Sequence, residues 1–391
     1  MFRRKLVSQL IERLTERRRF IQIVTGPRQT GKTTSVLQAL EELGKKTHFV
    51  SADDPSLNSV EWLRNEWEQA RTFAKTGETI LAVDEIQKIK NWSSVTKLLW
   101  DEDGRLASNL KVVLTGSSSL LLQKGLAESL AGRFEILYSP HWNYSECREA
   151  FGFRLDDFLF FGGYPGAAAL IEDESRWARY IGMSIIEPTI SQDILMMEEV
   201  RKPALLRSIF MLGSGYSAQE LSFTKMLGQL QDAGNTVTLA HYLDLLGKAN
   251  MLTGLQNYSG SQIRIRKSSP RLMVYDTSLM TYADGANRRR LLDSKPEKGR
   301  LVESAVGAYL LARGKEEGFE VHWWRERNNE VDFVIKKGSR LTAMEVKSGR
   351  IKNTGGSLVF KKHYPEALSL IIGGTNCGLE DFLLGEIPLF R

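Results

Sequence analysis

The segment Gly26-Pro27-Arg28-Gln29-Thr30-Gly31-Lys32-Thr33 decides the fold of this chain. It has the pattern G-x-x-x-x-G-K-[ST], follows the apolar run from Phe20 to Thr25 and precedes a helical pattern from Thr33 to Leu43. Its glycines let successive backbone N–H groups and the helix N-terminus face the phosphates of a nucleotide. We therefore predict a phosphate-binding loop in which Lys32 bridges the outer phosphates of ATP.

The residues around this loop alternate short apolar runs with amphipathic stretches, which is typical of a parallel sheet covered by helices. Five runs are predicted as strands, and each is apolar enough to be buried on both faces. They are Phe20 to Thr25, Thr47 to Ala52, Thr79 to Asp84, Lys111 to Thr115 and Phe134 to Tyr138. Helical patterns lie between them, for example from Val60 to Ala74. The sequence thus predicts an α/β fold, a P-loop NTPase of the additional-strand class.

Two acidic residues end the third predicted strand. Asp84 closes the run from Ile80 to Val83, and Glu85 follows directly. In a P-loop NTPase a strand-end carboxylate and the hydroxyl of Thr33 hold Mg²⁺, so we predict Thr33 and Asp84 as metal ligands. Glu85 is predicted to polarise the water that attacks the γ-phosphate. The alternative for Glu85 is a solvated carboxylate at the end of a strand.

The fourth predicted strand runs into Thr115-Gly116-Ser117, where a hydroxyl would contact the γ-phosphate. Thr115 and Ser117 are both candidates, and the alternative is that they are ordinary turn residues. Arg133 is a candidate for charge stabilisation in cis or in trans, against the alternative of a surface arginine. The residues predicted to bind the nucleotide are Gly26, Pro27, Arg28, Gln29, Thr30, Gly31, Lys32, Thr33, Thr34, Asp84, Thr115 and Ser117, and the predicted catalytic residues at this site are Lys32, Glu85 and Arg133.

A chain of 391 residues is too long for one ordinary hydrophobic core, and 42% apolar with 26% charged residues indicates a folded globular protein. We predict an ATPase core at 1–154. A glycine-rich turn at Gly162-Gly163-Tyr164-Pro165 interrupts the helical region at 155–201, which we interpret as a small lid. Three helical patterns and a short strand, from Met251 to Leu255, predict a winged helix at 202–260.

The region 261–391 is predicted as a separate α/β domain, with a helix from Leu301 to Ala312 and strands at Val321 to Trp324, Glu330 to Ile335 and Leu341 to Val346. Asp332, and Glu345 with Lys347 two residues later, resemble the PD-(D/E)XK nuclease pattern of restriction-endonuclease-like folds.

This pattern predicts a second metal site. Alternation places Glu345 and Lys347 on one face of their strand, and a hairpin can bring Asp332 beside them. The predicted magnesium ligands are Asp332 and Glu345, joined by Glu303, which matches the helical acid of this fold, and Lys347 would orient water. The alternative is that these charges form a solvated hairpin face.

Several motifs together resemble a family of prokaryotic AAA-like ATPases. The residues that carry the resemblance are Gly26 to Thr34, Val83-Asp84-Glu85-Ile86-Gln87, Leu114 to Ser118, Ala131-Gly132-Arg133 and Gly162 to Pro165. The resemblance covers nearly the whole chain. It implies an AAA-like core, a helical lid, a winged helix and a C-terminal domain similar to restriction-endonuclease folds, with ATP binding and hydrolysis but no known substrate.

The net charge of +6 favours a polyanionic partner such as nucleic acid. The basic residues near the predicted winged helix are Arg264, Arg266, Lys267, Arg271, Arg288, Arg289, Arg290, Lys295, Lys298 and Arg300. They predict either contact with a phosphate backbone or a solvated basic face. The predicted recognition helix, Leu239 to Lys248, has too few polar groups to read base edges, so contact through phosphates or a protein partner is expected instead.

Two further observations concern the cellular compartment of the protein. Cys147 and Cys377 are the only cysteines and have no partner motif, so neither a disulfide framework nor a thiolate metal site is expected. The first nineteen residues lack the apolar core of a signal peptide, and no later run is apolar enough for a membrane span. We therefore expect a cytoplasmic protein without a membrane partner, and the oligomeric state stays open.

Two functions compete on these observations. The first is an Mg²⁺-dependent ATPase coupled to a nucleic-acid-interacting, nucleolytic C-terminal domain, which uses every motif. The second is a regulatory switch ATPase whose C-terminal domain binds protein or DNA and cuts nothing. A small-molecule kinase ranks last, because Asp84-Glu85 supplies an acid that polarises water.

Overall fold

The computed structural model describes residues 2–54, 59–116, 129–195, 200–231, 234–259, 269–347, 355–374 and 377–390. The chain forms two compact units, Met1–Pro140 and His141–Arg391. The first unit ends at Pro140, whereas the ATPase core was predicted to extend to residue 154. The lid, winged helix and nuclease-like domain were predicted separately, and their described residues lie together in the second unit.

The first unit is a parallel sheet with helices on both faces. Its elements are α1 (Lys5–Thr15), β1 (Ile21–Thr25), α2 (Lys32–Leu43), β2 (Lys46–Ser51), α3 (Val60–Ala74), β3 (Thr79–Asp84), α4 (Trp92–Arg105), β4 (Leu110–Gly116) and β5 (Phe134–Tyr138). The strand order is β2-β3-β4-β1-β5, and each neighbouring pair is parallel. The five predicted strands and the five-stranded parallel sheet are confirmed, and β4 is the additional strand between β1 and β3. The edge strands β2 and β5 are only partly buried, which corrects the expectation that every strand is buried on both faces.

Alternation along β1 divides the core of this unit into two layers. Ile21 and Ile23 pack among the residues of α3 and α4, including Trp67 and Leu99. Val24 instead packs among the apolar residues of α1 and α2. The apolar residues of β1 thus pack against helices on both faces of the sheet.

The second unit begins with helices. They are α5 (Tyr144–Phe151), α6 (Leu155–Phe161) and α7 (Glu174–Tyr180), the π-helical turns Ile181–Ile186 and Thr189–Ile194, then α8 (Pro203–Gly215), α9 (Phe223–Gln229) and α10 (Thr236–Lys248). Asn235 caps α10 by accepting a hydrogen bond from the backbone N–H of Thr238 over 2.9 Å. A two-stranded antiparallel sheet follows, β6 (Leu252–Leu255) with β7 (Arg271–Val274).

The remaining elements are α11 (Thr277–Ala283), α12 (Arg288–Asp293), α13 (Lys295–Glu317), β8 (Glu320–Glu326), β9 (Asn329–Lys337), β10 (Arg340–Val346), α14 (Gly355–His363), β11 (Leu368–Ile372) and α15 (Leu379–Leu383). The sheet order is β11-β10-β9-β8. Its first three strands in sequence, β8, β9 and β10, are antiparallel neighbours, and β11 is parallel to β10. Helix α13 begins six residues before the predicted helix and ends at Glu317, well beyond Ala312.

The two cysteines, Cys147 and Cys377, are buried and free. Within the described parts of the chain, no helix combines the length and the apolar content that crossing a membrane requires.

Candidate functional site

The predicted phosphate-binding loop lies between the end of β1 and the start of α2. Gly31, with φ 84°, takes the left-handed conformation that starts the helix turn, and its carbonyl accepts the N–H of Ser35 over 2.9 Å. The Lys32 side chain is only 6% exposed and its Nζ donates to the carbonyl of Pro27 over 2.5 Å. The lysine is therefore folded over the loop, with its charge held above the backbone that would surround phosphates.

The predicted acidic pair stands at the carboxyl edge of the same sheet. The Thr33 hydroxyl donates to Oδ2 of Asp84 over 2.9 Å, and the Thr115 hydroxyl donates to Oδ1. Because β1, β4 and β3 are parallel neighbours, their ends place all three residues at one edge. The buried Asp84 carboxylate thus joins the phosphate loop to two strands.

Glu85 lies one residue beyond β3 in the left-handed region, with φ 53°. Its backbone N–H points to the Thr115 hydroxyl at 3.4 Å, and Oε2 of its side chain accepts the Gln87 amide over 2.5 Å. Glu85 ends the strand and leads into a 3-10 turn, Ile86–Lys88. Thr115 and Gln87 therefore fix the backbone and the carboxylate of the predicted base.

Arg133 lies at the wrong edge of the sheet for a role in its own nucleotide site. It precedes β5, whose Phe134 pairs with Ile21 at the start of β1, and its carbonyl accepts the N–H of Ile21 over 2.8 Å. Four residues of strand, about 13 Å, separate that edge from the loop. The prediction of a role in cis is corrected, and a role in trans stays a prediction. Its guanidinium is paired with Asp101 over 2.7 Å.

Ser117, the alternative γ-phosphate residue, lies outside the described residues. Arg4, which motif reasoning missed, is 4% exposed and its Nη1 donates to the carbonyl of Thr30 over 3.0 Å and to the Ser139 hydroxyl over 2.9 Å. Arg4 thereby ties the phosphate loop to the segment after β5. The contact joins residues 26 positions apart, and no local pattern signals it.

The predicted C-terminal metal ligands do not form a metal cluster. Asp332 and Glu303 approach Arg271, whereas Glu345 turns to another partner: its Oε1 accepts both the N–H of Ser357, over 3.0 Å, and the Ser357 hydroxyl, over 2.7 Å. Among the residues that the structure describes, no three His, Cys, Asp or Glu side chains converge to hold a metal ion. The predicted set of Glu303, Asp332 and Glu345 is corrected on this point.

The electrostatics around these acids fit an ion-paired cluster. Burial raises the pKa of Glu303 to about 8, with Arg271 opposing the shift and the nearby Asp332 adding to it. Burial also raises the pKa of Asp332, against the attraction of Arg271 and the hydrogen bond from the Val346 N–H. Lys347, the predicted water-orienting residue, pairs with Glu345 at 3.1 Å.

Most residues of the described basic stretch pair with acids within the same unit. Arg288 pairs with Asp157, Arg289 with Asp293, Arg290 with Asp284, Lys298 with Asp156 and Arg300 with Glu297. Arg264, Arg266 and Lys267 lie outside the described residues. On the predicted recognition helix, Lys248 pairs with Asp244 over 2.6 Å. These pairs favour the solvated basic face over a phosphate-binding surface.

The Gly162-Gly163 turn is explained by Asp276, another residue that sequence reasoning missed. Asp276 is 4% exposed, and its Oδ2 accepts the N–H of Gly163 over 2.8 Å. A Cβ on Gly162 would overlap the Asp276 carboxylate, so this turn requires glycine. Burial raises the pKa of Asp276 to about 6, against its hydrogen bonds from Ser278 and Gly163.

The strand order and the loop define a P-loop NTPase domain with an additional strand. The family model of the AAA domain matches residues 18–147, so the first unit carries an AAA-type P-loop domain. Two further models match the second unit, each described as a domain of unknown function: DUF8612 over residues 152–290 and DUF4143 over residues 298–384.

Similar whole chains are uncharacterized proteins. MJ1544 of Methanocaldococcus jannaschii is 26% identical over 342 residues, 81% of this chain and 72% of that protein. A protein of Haemophilus influenzae is 22% identical over 348 residues, 84% of this chain and 82% of its own. Rv2008c of Mycobacterium tuberculosis is 26% identical over 334 residues, which cover 84% of this chain and 70% of that protein.

Two solved structures are similar to this chain at a low level. The replication initiator DnaA bound to AMPPCP and single-stranded DNA is 19% identical, with 61% of this chain and 86% of that chain covered and a TM-score of 0.33. The Thermotoga maritima RuvB Holliday junction branch migration motor is 18% identical. The match covers 63% of this chain and 88% of that chain, with a TM-score of 0.32.

Proposed function

We propose that this protein is an Mg²⁺-dependent ATPase whose hydrolysis site is formed by the phosphate loop, Asp84 and Glu85. The observation that carries the proposal is the contact of 2.9 Å between the Thr33 hydroxyl and the Asp84 carboxylate, beside the loop. A hydroxyl and a buried carboxylate at the mouth of a phosphate loop are the oxygen donors that a nucleotide-bound Mg²⁺ uses.

The residues present fit the ion. Thr33 and Asp84 would hold Mg²⁺, which when bound supplies positive charge to the β- and γ-phosphates. Lys32 adds a second positive charge, and the first turn of α2 directs its N–H groups at the same place. The chain itself therefore orients the triphosphate and offsets its charge.

Glu85 is proposed as the residue that activates water. A water attacks the γ-phosphorus and passes a proton to the Glu85 carboxylate, while the bond to the bridging oxygen of the β-phosphate breaks and ADP leaves. Gln87 would position the carboxylate through its amide, and the Thr115 hydroxyl would hold Asp84 and the backbone of Glu85 in place. An acid at this position supports hydrolysis rather than transfer to a small molecule.

For the second unit we propose two modules. The order of α8, α9, α10, β6 and β7 supports a winged helix, because three helices followed by an antiparallel hairpin are its elements. The order from α13 through β8, β9, β10 and α14 to β11 supports a restriction-endonuclease-like domain, in which β11 adds to the sheet parallel to β10.

The role we propose for this unit is that of a partner-binding region controlled by the nucleotide, a regulatory switch. Intramolecular pairs involve most of the described basic residues, such as Arg288 with Asp157, and the predicted metal ligands do not converge. Both observations favour the switch over the nucleolytic alternative.

The test of the ATPase is hydrolysis by the purified full-length chain with Mg²⁺, compared with Glu85→Gln. We expect the variant to bind ATP as tightly as the wild type and to lose about 100-fold or more in kcat, because general-base assistance contributes on this order. Glu61→Gln is the matched control, since Glu61 is exposed in the first turn of α3. Wild-type turnover in Glu85→Gln, or binding without turnover by the wild type, would contradict the proposal.

A further inference from the structure

Arg271 is a buried arginine at the start of β7, and it lies against three carboxylates. Its Nη1 is 2.8 Å from Oε1 of Glu330 and 3.7 Å from Oδ1 of Asp332, and its Nη2 donates to Oε1 of Glu303. We call Glu303, Glu330 and Asp332 the acidic cluster. The Arg271 side chain is only 6% exposed, and the three acids around it are partly exposed, Glu330 the most at 31%.

The remaining donor of this guanidinium is also engaged. Arg271 Nε donates to the carbonyl of Ala218 over 3.1 Å. Since Nε, Nη1 and Nη2 all have partners, the arginine is fixed in orientation as well as in position. It connects the segment before α9 and strand β7 with α13 and β9, four parts of the second unit.

Two acids of the cluster, Asp332 and Glu330, also have partners other than Arg271. Asp332 uses Oδ2 to accept the N–H of Val346 over 2.7 Å, while Oδ1 faces Arg271. Glu330 is shared with Arg325, which also pairs with Glu220. Glu345, which the sequence pattern assigns to the same metal, is held by Ser357 and Lys347.

A divalent cation bound by Glu303 and Asp332 would lie beside the Arg271 guanidinium, whose Nη2 donates to Glu303 Oε1 and whose Nη1 is 3.7 Å from Asp332 Oδ1. Ligand distances for Mg²⁺ are about 2.1 Å, so such an ion would add two positive charges next to the charge that already offsets these carboxylates, and the two cations would repel one another. An arginine in a protein does not lose its proton, and its charge therefore stays at the cluster. Removing one partner from such a buried set leaves the others uncompensated, which resists displacement.

We propose that Arg271 is the resident cation of the acidic cluster, that it takes the place where the sequence pattern predicts Mg²⁺, and that this site binds no divalent ion. The site is then a structural junction that fastens the β6–β7 hairpin to the C-terminal sheet. This assignment is independent of ATP hydrolysis, because it concerns residues of the second unit alone.

The first test counts Mn²⁺ bound to the full-length chain without nucleotide, by electron paramagnetic resonance of the free ion. An Asp84→Asn background removes the ion expected at the phosphate loop. We expect no bound Mn²⁺ in that background and no change when Asp332→Asn is added. One Mn²⁺ per chain that disappears with Asp332→Asn would overturn the proposal, whether or not the protein hydrolyses ATP.

The second test asks whether removing the guanidinium creates a metal site. In the Asp84→Asn background, Arg271→Gln should gain one Mn²⁺ per chain, and adding Asp332→Asn should abolish that gain. Arg271→Lys is the control that keeps a positive charge, and it should gain none. A folded Arg271→Gln variant, checked by circular dichroism, that binds no Mn²⁺ would show that the guanidinium does not occupy a cation site. If the Arg271→Gln variant does not fold, the Mn²⁺ count of the first test, made with and without Asp332→Asn, decides the proposal by itself.

Discussion

Gly26, the first residue of the phosphate loop, lies directly against the backbone carbonyl of Ser139, and a Cβ on this glycine would overlap that oxygen. The close approach packs the start of the loop onto the residues that follow β5. Gly26→Ala should therefore lower the free energy of unfolding by about 3 kcal/mol, since neither backbone can yield without cost. Urea unfolding of the full-length protein, followed by tryptophan fluorescence, measures this change.

Gly104→Ala is the matched control for that substitution. Gly104 lies in α4, and no heavy atom would lie within 4 Å of an added Cβ. Alanine there should stabilise the helix by up to about 1 kcal/mol. If Gly26→Ala unfolds at the same urea concentration as the wild type, the close approach to Ser139 is not a constraint.

Asp84 should control the Mg²⁺ dependence of nucleotide binding. Asp84→Asn keeps the size of the side chain and removes its charge, so Mg²⁺ should no longer tighten ATP binding, a loss of about 10- to 100-fold in affinity. Titration calorimetry with and without Mg²⁺ measures the difference. Asp53→Asn is the control, because Asp53 is exposed and pairs only at the surface with Lys88. An unchanged Mg²⁺ effect in Asp84→Asn would remove Asp84 from the site.

Thr115 should affect turnover more than binding. Thr115→Val removes the hydroxyl that donates to Asp84 and faces the N–H of Glu85, and we expect kcat to fall about 10-fold with little change in KM. Thr115→Ser should restore turnover because it returns the hydroxyl. Equal kcat values for the valine and serine variants would mean that Thr115 acts only through packing.

Arg133 should have no role in the nucleotide site of its own chain. Because it lies at the amino edge of the sheet, Arg133→Ala should leave ATP turnover unchanged at protein concentrations where the chain is monomeric by light scattering. The lost pair with Asp101 should cost less than about 1 kcal/mol, since both side chains are about one-third exposed. A turnover defect in the monomer would contradict this placement, while a defect confined to an assembled form would support a role in trans.

Asp276 should make stability depend on pH. Its pKa in the folded chain is about 6, above the ordinary value of 3.8, so the folded state binds this proton more tightly than the unfolded state. Its contribution to the free energy of unfolding is full below about pH 4 and falls as the pH rises through about 6.

Asp276→Asn removes that dependence and leaves the Gly163 N–H without its carboxylate acceptor, which costs about 1 to 3 kcal/mol. Urea midpoints of both proteins between pH 4 and pH 7 measure the effect. The gap between wild type and variant should narrow as the pH rises from 4 to 6. Parallel curves would show that Asp276 does not titrate in this window.

The sequence predicted the nucleotide-binding half well because its signals are local. The phosphate loop from Gly26 to Thr33 is one contiguous segment. The central strands β1, β3 and β4 are buried on both faces, so they have apolar runs, such as Ile80 to Val83, that are visible in the sequence. Helix α3 matches its predicted bounds, Val60 to Ala74, because a serine cap and regular apolar spacing define it.

Strand order could not be predicted from such local signals, because an apolar run indicates a strand but not which strands are its neighbours. The order β2-β3-β4-β1-β5 brought Thr33, Asp84 and Thr115 to one edge as predicted, and it put Arg133 at the other. Sheet topology, rather than distance along the chain, thus places Thr115 at the nucleotide site and Arg133 away from it.

The sequence by itself determined the phosphate loop, the acidic strand end and the strands that carry them, because those features arise from neighbouring residues. Only the tertiary structure decided which partners the buried charges have. Arg4 meets the loop 26 residues away, Asp276 meets Gly163, and Arg271 enters the acidic cluster where the pattern predicts a metal. A buried charge must find a partner, and the fold supplies it from distant segments that no local pattern connects.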